Sequence, residues 1–279
     1  MFHINAEPQL ILPMDKNLAN YATKGHRTVE GWLAPVAVKA IVEIASLQSV
    51  SSVKGPICEI GVHHGRLFIL LHLLAEEQEK SVAWDLFQNQ EENFDDSGKG
   101  SREMLVKNLK LHSCDMEQIV IRTKNSLDLT PDEIISECYG RPRLFSIDGG
   151  HTAEVTFNDL GLAASSICEG GVVILDDFFN EAWPGVAEGA CRYMIEHPGL
   201  FPVVIVGNKL MFTTSEAAAK NYISGLNFKH AGYIPKLTRF FDCDILCYRP
   251  ITTNFIWKYI RDRPIGHFLK KILKRGKKE

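Results

Sequence analysis

Apolar positions recur along this chain in two rhythms, and their alternation predicts an α/β architecture. Val38, Ile41, Val42 and Ala45 share one face at helical spacing, and Pro35 suits a first turn, so residues 31–50 read as a helix. Ile57-Cys58-Glu59-Ile60-Gly61 is a short apolar run closed by glycine, a buried strand, with a helix over 67–79 after it. Val82 to Asp85 ends a second strand, and a polar loop over 88–100 leads to a helix over 101–112. Further strands are read at 118–122, 144–148 and 172–176, with a long helix over 152–168 between the last two. Phe201–Val206 and Leu210–Thr214, joined by Gly207-Asn208-Lys209, predict a closing hairpin, and Phe240–Tyr248 a further strand. Strands alternating with helices predict a mainly parallel sheet covered on both faces, and no internal repeat interrupts the pattern.

Composition narrows this picture. The chain has 279 residues, 45% hydrophobic and 23% charged, enough to bury a core without staples. Seven cysteines without C-x-x-C spacing argue against a disulfide framework and a zinc ribbon, and favour a reducing, cytoplasmic setting. No basic start precedes the short Leu10-Ile11-Leu12 run, so a secretory signal is not expected. The net charge of −3 hides an asymmetry: Lys258–Glu279 carries +7, leaving −10 on the rest. An acidic body is a poor nucleic-acid binder, and no nucleic-acid partner is expected.

The candidate chemistry sits at strand ends. Glu59-x-Gly61-x-x-x-Gly65 spans a strand–helix junction, where glycine lets the backbone approach a ligand or simply makes a tight connection. It is not the dinucleotide fingerprint, because His63 and Arg66 replace the second and third glycines. Asp85 ends the next strand, where an acid accepts hydrogen bonds from ribose hydroxyls, or caps a loop. Asp148 and the pair Asp176-Asp177 end two later strands. If those strands are neighbours, three carboxylates meet at one rim, and a hard divalent cation, Mg²⁺ or Mn²⁺, relieves their repulsion. The alternative is that they cap helices or pair with Arg or Lys. His151 suits a general base, a cofactor contact or a polar helix terminus. His63 and His64 read as pocket lining rather than zinc ligands. Trp183 could wall an acceptor pocket or be an ordinary core or surface aromatic.

These motifs, with Ser126-x-Asp128-Leu129 and the loop Asp85-Leu86-Phe87-x-x-Gln90 with Asn93, Ser97-Gly98 and Gly100, resemble a class I S-adenosylmethionine-dependent methyltransferase over roughly residues 30–215. The branch they resemble is that of macrocin-type and other sugar O-methyltransferases. The resemblance implies a doubly wound, Rossmann-like sheet of seven strands, mostly parallel with an antiparallel last strand. It implies that Glu59, Gly61 and Gly65 border the methionine part of S-adenosylmethionine, that Asp85 holds its ribose, and that Ser126 lies near its adenine. It implies that Asp148, Asp176 and Asp177 bind Mg²⁺, and that the acceptor is a small-molecule or glycan hydroxyl. Gly150 stands where such relatives often carry an acid, which leaves the proton acceptor open between Asp148 and His151.

Three segments are expected: an N-terminal extension over 1–30, the methyltransferase domain over 31–250 and a basic tail over 251–279. Ile265, Phe268, Leu269, Ile272 and Leu273 form one apolar helical face among lysines. That face fits a peripheral contact with the inner membrane surface, or packing on the domain or on a second copy in a homo-oligomer. The rival functions are a nicotinamide-dependent oxidoreductase, which the carboxylate cluster does not explain, and a cofactor-binding protein without catalysis.

Overall fold

Short apolar runs become strands because a strand covered on both faces needs no polar alternation. The computed structural model describes residues 15–251. In it β1 (Ile57–Ile60), β2 (Ser81–Asp85), β3 (Ile119–Thr123), β4 (Leu144–Ile147) and β5 (Val172–Leu175) are parallel neighbours in the order β3-β2-β1-β4-β5. The expected hairpin is β6 (Phe201–Val206) and β7 (Lys209–Thr213), and β7 inserts antiparallel between β5 and β6. Up to β6 these are the seven expected strands, one of them antiparallel. The sheet then continues, since β9 (Cys243–Pro250) pairs parallel with β6 and β8 (Tyr233–Phe240) pairs antiparallel with β9. Among the described residues the sheet therefore has nine strands, not seven. The strand expected over 240–248 is split by a turn at Phe241-Asp242, both at positive φ.

Helices α1 (Lys16–Thr23), α2 (Pro35–Val50), α3 (Arg66–Leu73), α4 (Arg102–Leu111), α5 (Pro131–Glu137), α6 (Ala153–Ser166), α7 (Pro184–Glu196) and α8 (Glu216–Gly225) cover the sheet. One core layer joins α1–α4 and α8 to one face, and a second joins α5–α7 to the other. Residues from Asp15 onward pack on the domain. Leu18, Tyr21, Val29 and Leu33 are buried in the first layer, and the Tyr21 hydroxyl donates to the Arg66 carbonyl at 2.8 Å. The basic tail and its amphipathic face lie outside the described residues. None of the described helices is long and apolar enough to cross a membrane.

The register places the site. Ile60 pairs with Ile147, and Ile147 with Leu175, so the residues that follow, Gly61, Asp148 and Asp176, reach the same rim. Strand order reverses between β1 and β4, and open α/β sheets bind ligands at such a switch.

Candidate active site

Gly61 leaves β1 with φ +78°, and a Cβ there would lie 1.8 Å from the Asp148 carbonyl oxygen. Only a residue without a side chain lets the ends of β1 and β4 pass this closely. Gly65, at φ +90°, precedes α3, and a Cβ on it would meet Leu105 at 2.5 Å. Asp85 ties the turn together: its Oδ2 accepts from the Val62 and His63 amides, both at 2.8 Å, and its Oδ1 from the Phe87 amide at 2.6 Å. Burial raises the Asp85 pKa and the three amides oppose the rise. The carboxylate read as a ribose ligand thus first organises the glycine turn, and any ribose contact comes in addition. Glu59 is buried. Its Oε1 accepts from the Ser146 hydroxyl at 3.0 Å and its Oε2 has no partner. Burial, reinforced by the Asp148 charge, holds the Glu59 carboxyl well above its usual range. Ser126 is buried in a 3₁₀ turn beyond β3.

The expected carboxylate cluster forms, but its three acids are not equivalent. Asp176 forms a buried ion pair with Lys209, and its Oδ1 accepts the Asp177 amide at 2.8 Å. Burial disfavours the Lys209 ammonium, yet Asp176, Asp148 and Glu59 together raise its pKa. Asp176, expected as a metal ligand, is thus paired with the protein's own cation, Lys209. Asp148, His151 and Asp177 instead bring one ligand atom each within 4.8 Å of one another. Burial, then repulsion from Asp176, pushes the Asp148 pKa well up. Asp177 adopts φ +55° and its Oδ1 accepts from the Asn180 and Asn208 amides, while its Oδ2 lies 3.2 Å from His151 Nε2.

His151 is held on every side. Asp95 Oδ2 accepts its backbone amide at 2.6 Å and faces Nδ1 at 2.9 Å, and Trp183 stacks on the ring at 4.4 Å. Burial disfavours the imidazolium, but the bonds to Asp177 and Asp95 outweigh it and raise the pKa to about 9. The site raises the proton affinity of both candidate proton acceptors, Asp148 and His151.

Every predicted site residue except Gly65 lines one cleft of about 510 Å³. That is within the usual range for a small-molecule site. Sequence reasoning missed Asp95 and Lys209. Asp95 is one of four acids between Glu91 and Asp96, with no spacing to single it out, and Lys209 looks like an ordinary hairpin-turn residue. A second group, Glu30, His63 and His64, also brings potential ligand atoms within 4.8 Å, but its imidazoles stack at 3.8 Å, and His63 lines the cleft.

With this geometry in hand, residues 58–178 match the family described as a methyltransferase domain. Among solved structures, the O-methyltransferase NovP superposes with a TM-score of 0.54 at 18% identity, over 65% of this chain and 82% of NovP. The O-methyltransferase TomG from Streptomyces achromogenes, involved in tomaymycin synthesis and solved in complex with SAM, gives 0.50 at 14% identity, over 74% and 92%. At these identities the likeness concerns the fold. No curated protein matches by sequence.

The matched span holds Glu59, Gly61, Gly65, Asp85, Ser126, Asp148, His151, Asp176 and Asp177, whereas Trp183, Asn208 and Lys209 complete the site from beyond it. Its glycine cradle and the unpartnered Glu59 Oε2 suit a ligand with polar donors. The group Asp148, His151 and Asp177 fits a divalent cation: His151 presents Nε2 inward while Nδ1 is held by a carboxylate, the usual outer support of a ligating histidine.

Proposed function

We propose that this protein transfers a methyl group from S-adenosylmethionine to a hydroxyl oxygen of a sugar or other polyol, with a divalent cation assisting. The observation that carries the reading is that the glycine turn with Asp85 and the group Asp148, His151 and Asp177 line one cleft. Glu59, Gly61, Asp85 and Ser126 would hold the cofactor, and Asp148, His151 and Asp177 the cation. When bound, the cofactor supplies an electrophilic sulfonium methyl, and the cation a charge that acidifies an acceptor hydroxyl.

The chain's own contribution is alignment and proton handling. The turn organised by Asp85 fixes one end of the cleft, and Trp183, Asn180 and Asn208 fix the other, so two reactants meet in one geometry. Asp148, which follows β4 at the rim of the cleft beside the glycine turn and His151, accepts the hydroxyl proton in this reading. Trp32, Phe94 and Trp183 line the same cleft and present aromatic faces against which a sugar ring can lie. They support the sugar class of acceptor.

Calorimetry with S-adenosylmethionine and S-adenosylhomocysteine, followed by methyl transfer over a panel of glycosides with and without chelator, tests the proposal. The expected result is cofactor binding, transfer to a hydroxyl, and loss of turnover in chelator that Mg²⁺ or Mn²⁺ restores. A bound nicotinamide dinucleotide and no affinity for either sulfur compound would refute it. Full turnover in excess chelator would remove the metal alone.

A further inference from the structure

The segment 86–100 between β2 and α4 holds no regular structure beyond a 3₁₀ turn at Gln90–Glu92, yet it forms one wall of the cleft. It is folded on itself. The Ser97 amide donates to Asp95 Oδ1 at 2.9 Å, and the Asn93 amide donates to the Gln90 side chain at 3.0 Å. Among the described residues, apart from local bonds to Leu86, Phe87 and Gly100, the hydrogen bonds that leave 88–99 end on Asn125 and His151. Glu92 accepts from Asn125 at 3.1 Å, while Asp95 and Ser97 meet His151. Phe87 anchors the start of the segment in the core, but Phe94, next to Asp95, is 73% exposed, so apolar packing does not hold the part that carries Asp95.

We propose that Asp95 is the positioning residue for His151, and that the segment carrying it is a strap whose latching onto His151 completes the acceptor end of the cleft. This rests on the methyl-transfer reading of the same site. Asp95 Oδ2 spans the His151 backbone amide and ring Nδ1, which fixes both where the residue sits and how its ring is turned. With Trp183 against the ring face, Nε2 can point only toward Asp177 and the cleft. One carboxylate oxygen thus couples the strap to the geometry at the acceptor end.

Hydrogen-exchange mass spectrometry and steady-state kinetics on the full chain test this with Asp95→Ala and Asp95→Asn, using Glu91→Gln on the same segment as control. Asp95→Ala should speed exchange across 86–100 and lower kcat by about 10²-fold, with the KM for S-adenosylmethionine moving less than about threefold. Asp95→Asn keeps a carbonyl oxygen for the His151 amide, so it should restore much of the strap's protection and give an intermediate kcat. Glu91→Gln should change neither. Unchanged exchange in Asp95→Ala, an unchanged kcat, a change confined to KM, or an Asn variant that exchanges like the Ala variant would each overturn the proposal. If the unaltered chain methylates no acceptor, the methyl-transfer reading fails, and the exchange measurement still decides whether the latch exists.

Discussion

The imidazole of His151 stands between two carboxylates, and that placement has a sign that can be measured. Its pKa rises from 6.5 to about 9, so folding gains stability that is fully present below pH 6.5 and lost as pH rises through about 9. At about 1.4 kcal/mol per unit the gain is about 3 kcal/mol. Bonds from Ser97 as well as from His151 lower Asp95 to about 2, and the His151 share of that lowering is the same interaction seen from the other side, not a second contribution. Urea denaturation at pH 6 and pH 10 should show this loss in the unaltered chain and lack it in His151→Gln; equal loss in both would place the titration elsewhere. Asp176 and Asp177 are adjacent yet should respond differently. Asp176→Asn leaves the Lys209 ammonium buried and unpaired, at a cost of about 3–5 kcal/mol. Combining it with Lys209→Met should recover most of that loss. Asp177→Asn leaves Lys209 paired, so it should weaken divalent-cation affinity more than stability. Denaturation and cation titration of the three variants separate the roles, and equal destabilisation by the two single changes would contradict this division.

Elements set these residues at their posts, and the sequence made much of that legible. Apolar runs marked β1, β2, β4, β5 and the β6–β7 hairpin closely, since buried parallel strands have no competing reading where glycine or aspartate ends the run. With strand ends known, Gly61, Asp85, Asp148 and Asp176 fell at one rim. The partners of those residues stayed hidden, because Lys209 meets Asp176 only after β7 inserts beside β5, and Asp95 meets His151 only through an irregular loop. The β8–β9 extension was half seen because β8 is mostly exposed and lacks an apolar run. The meeting of β1 and β4 carries its own prediction. Gly61→Ala would push a methyl into the Asp148 carbonyl, so strand ends must separate rather than a pocket merely fill. The expected loss is well above the roughly 1 kcal/mol of a typical substitution, with cofactor binding abolished. Gly98→Ala, at φ +47° with nothing within 4 Å, should carry only backbone strain of about 1 kcal/mol. Equal melting of the two variants would show that the close approach does not constrain the sheet.

At the scale of the whole molecule, the site is closed by a segment that the sequence alone sets apart from the domain. Residues 1–30 precede the first helix read from periodicity, and the apolar positions among them are too sparse to announce a core role. In the fold, however, Tyr21 is 1% exposed, Leu18 and Val29 are buried beside α2 and α3, and Glu30, Gly31 and Trp32 line the cleft. Tyr21 also holds the Arg66 carbonyl in the first turn of α3, immediately after the glycine turn. Deleting residues 1–30 therefore removes three buried side chains from the main core, each contributing about 1.5–3 kcal/mol. That sum is comparable to the 5–15 kcal/mol that holds a typical domain together. The shortened chain should lose its cooperative thermal transition or melt far below the full chain, and it should not bind S-adenosylhomocysteine. Leu18→Ala, a milder change, should cost about 2–5 kcal/mol and lower the Tm while preserving ligand affinity, because Leu18 does not line the cleft. A chain starting at residue 31 that melts like the full protein would show that the first thirty residues are dispensable to the core.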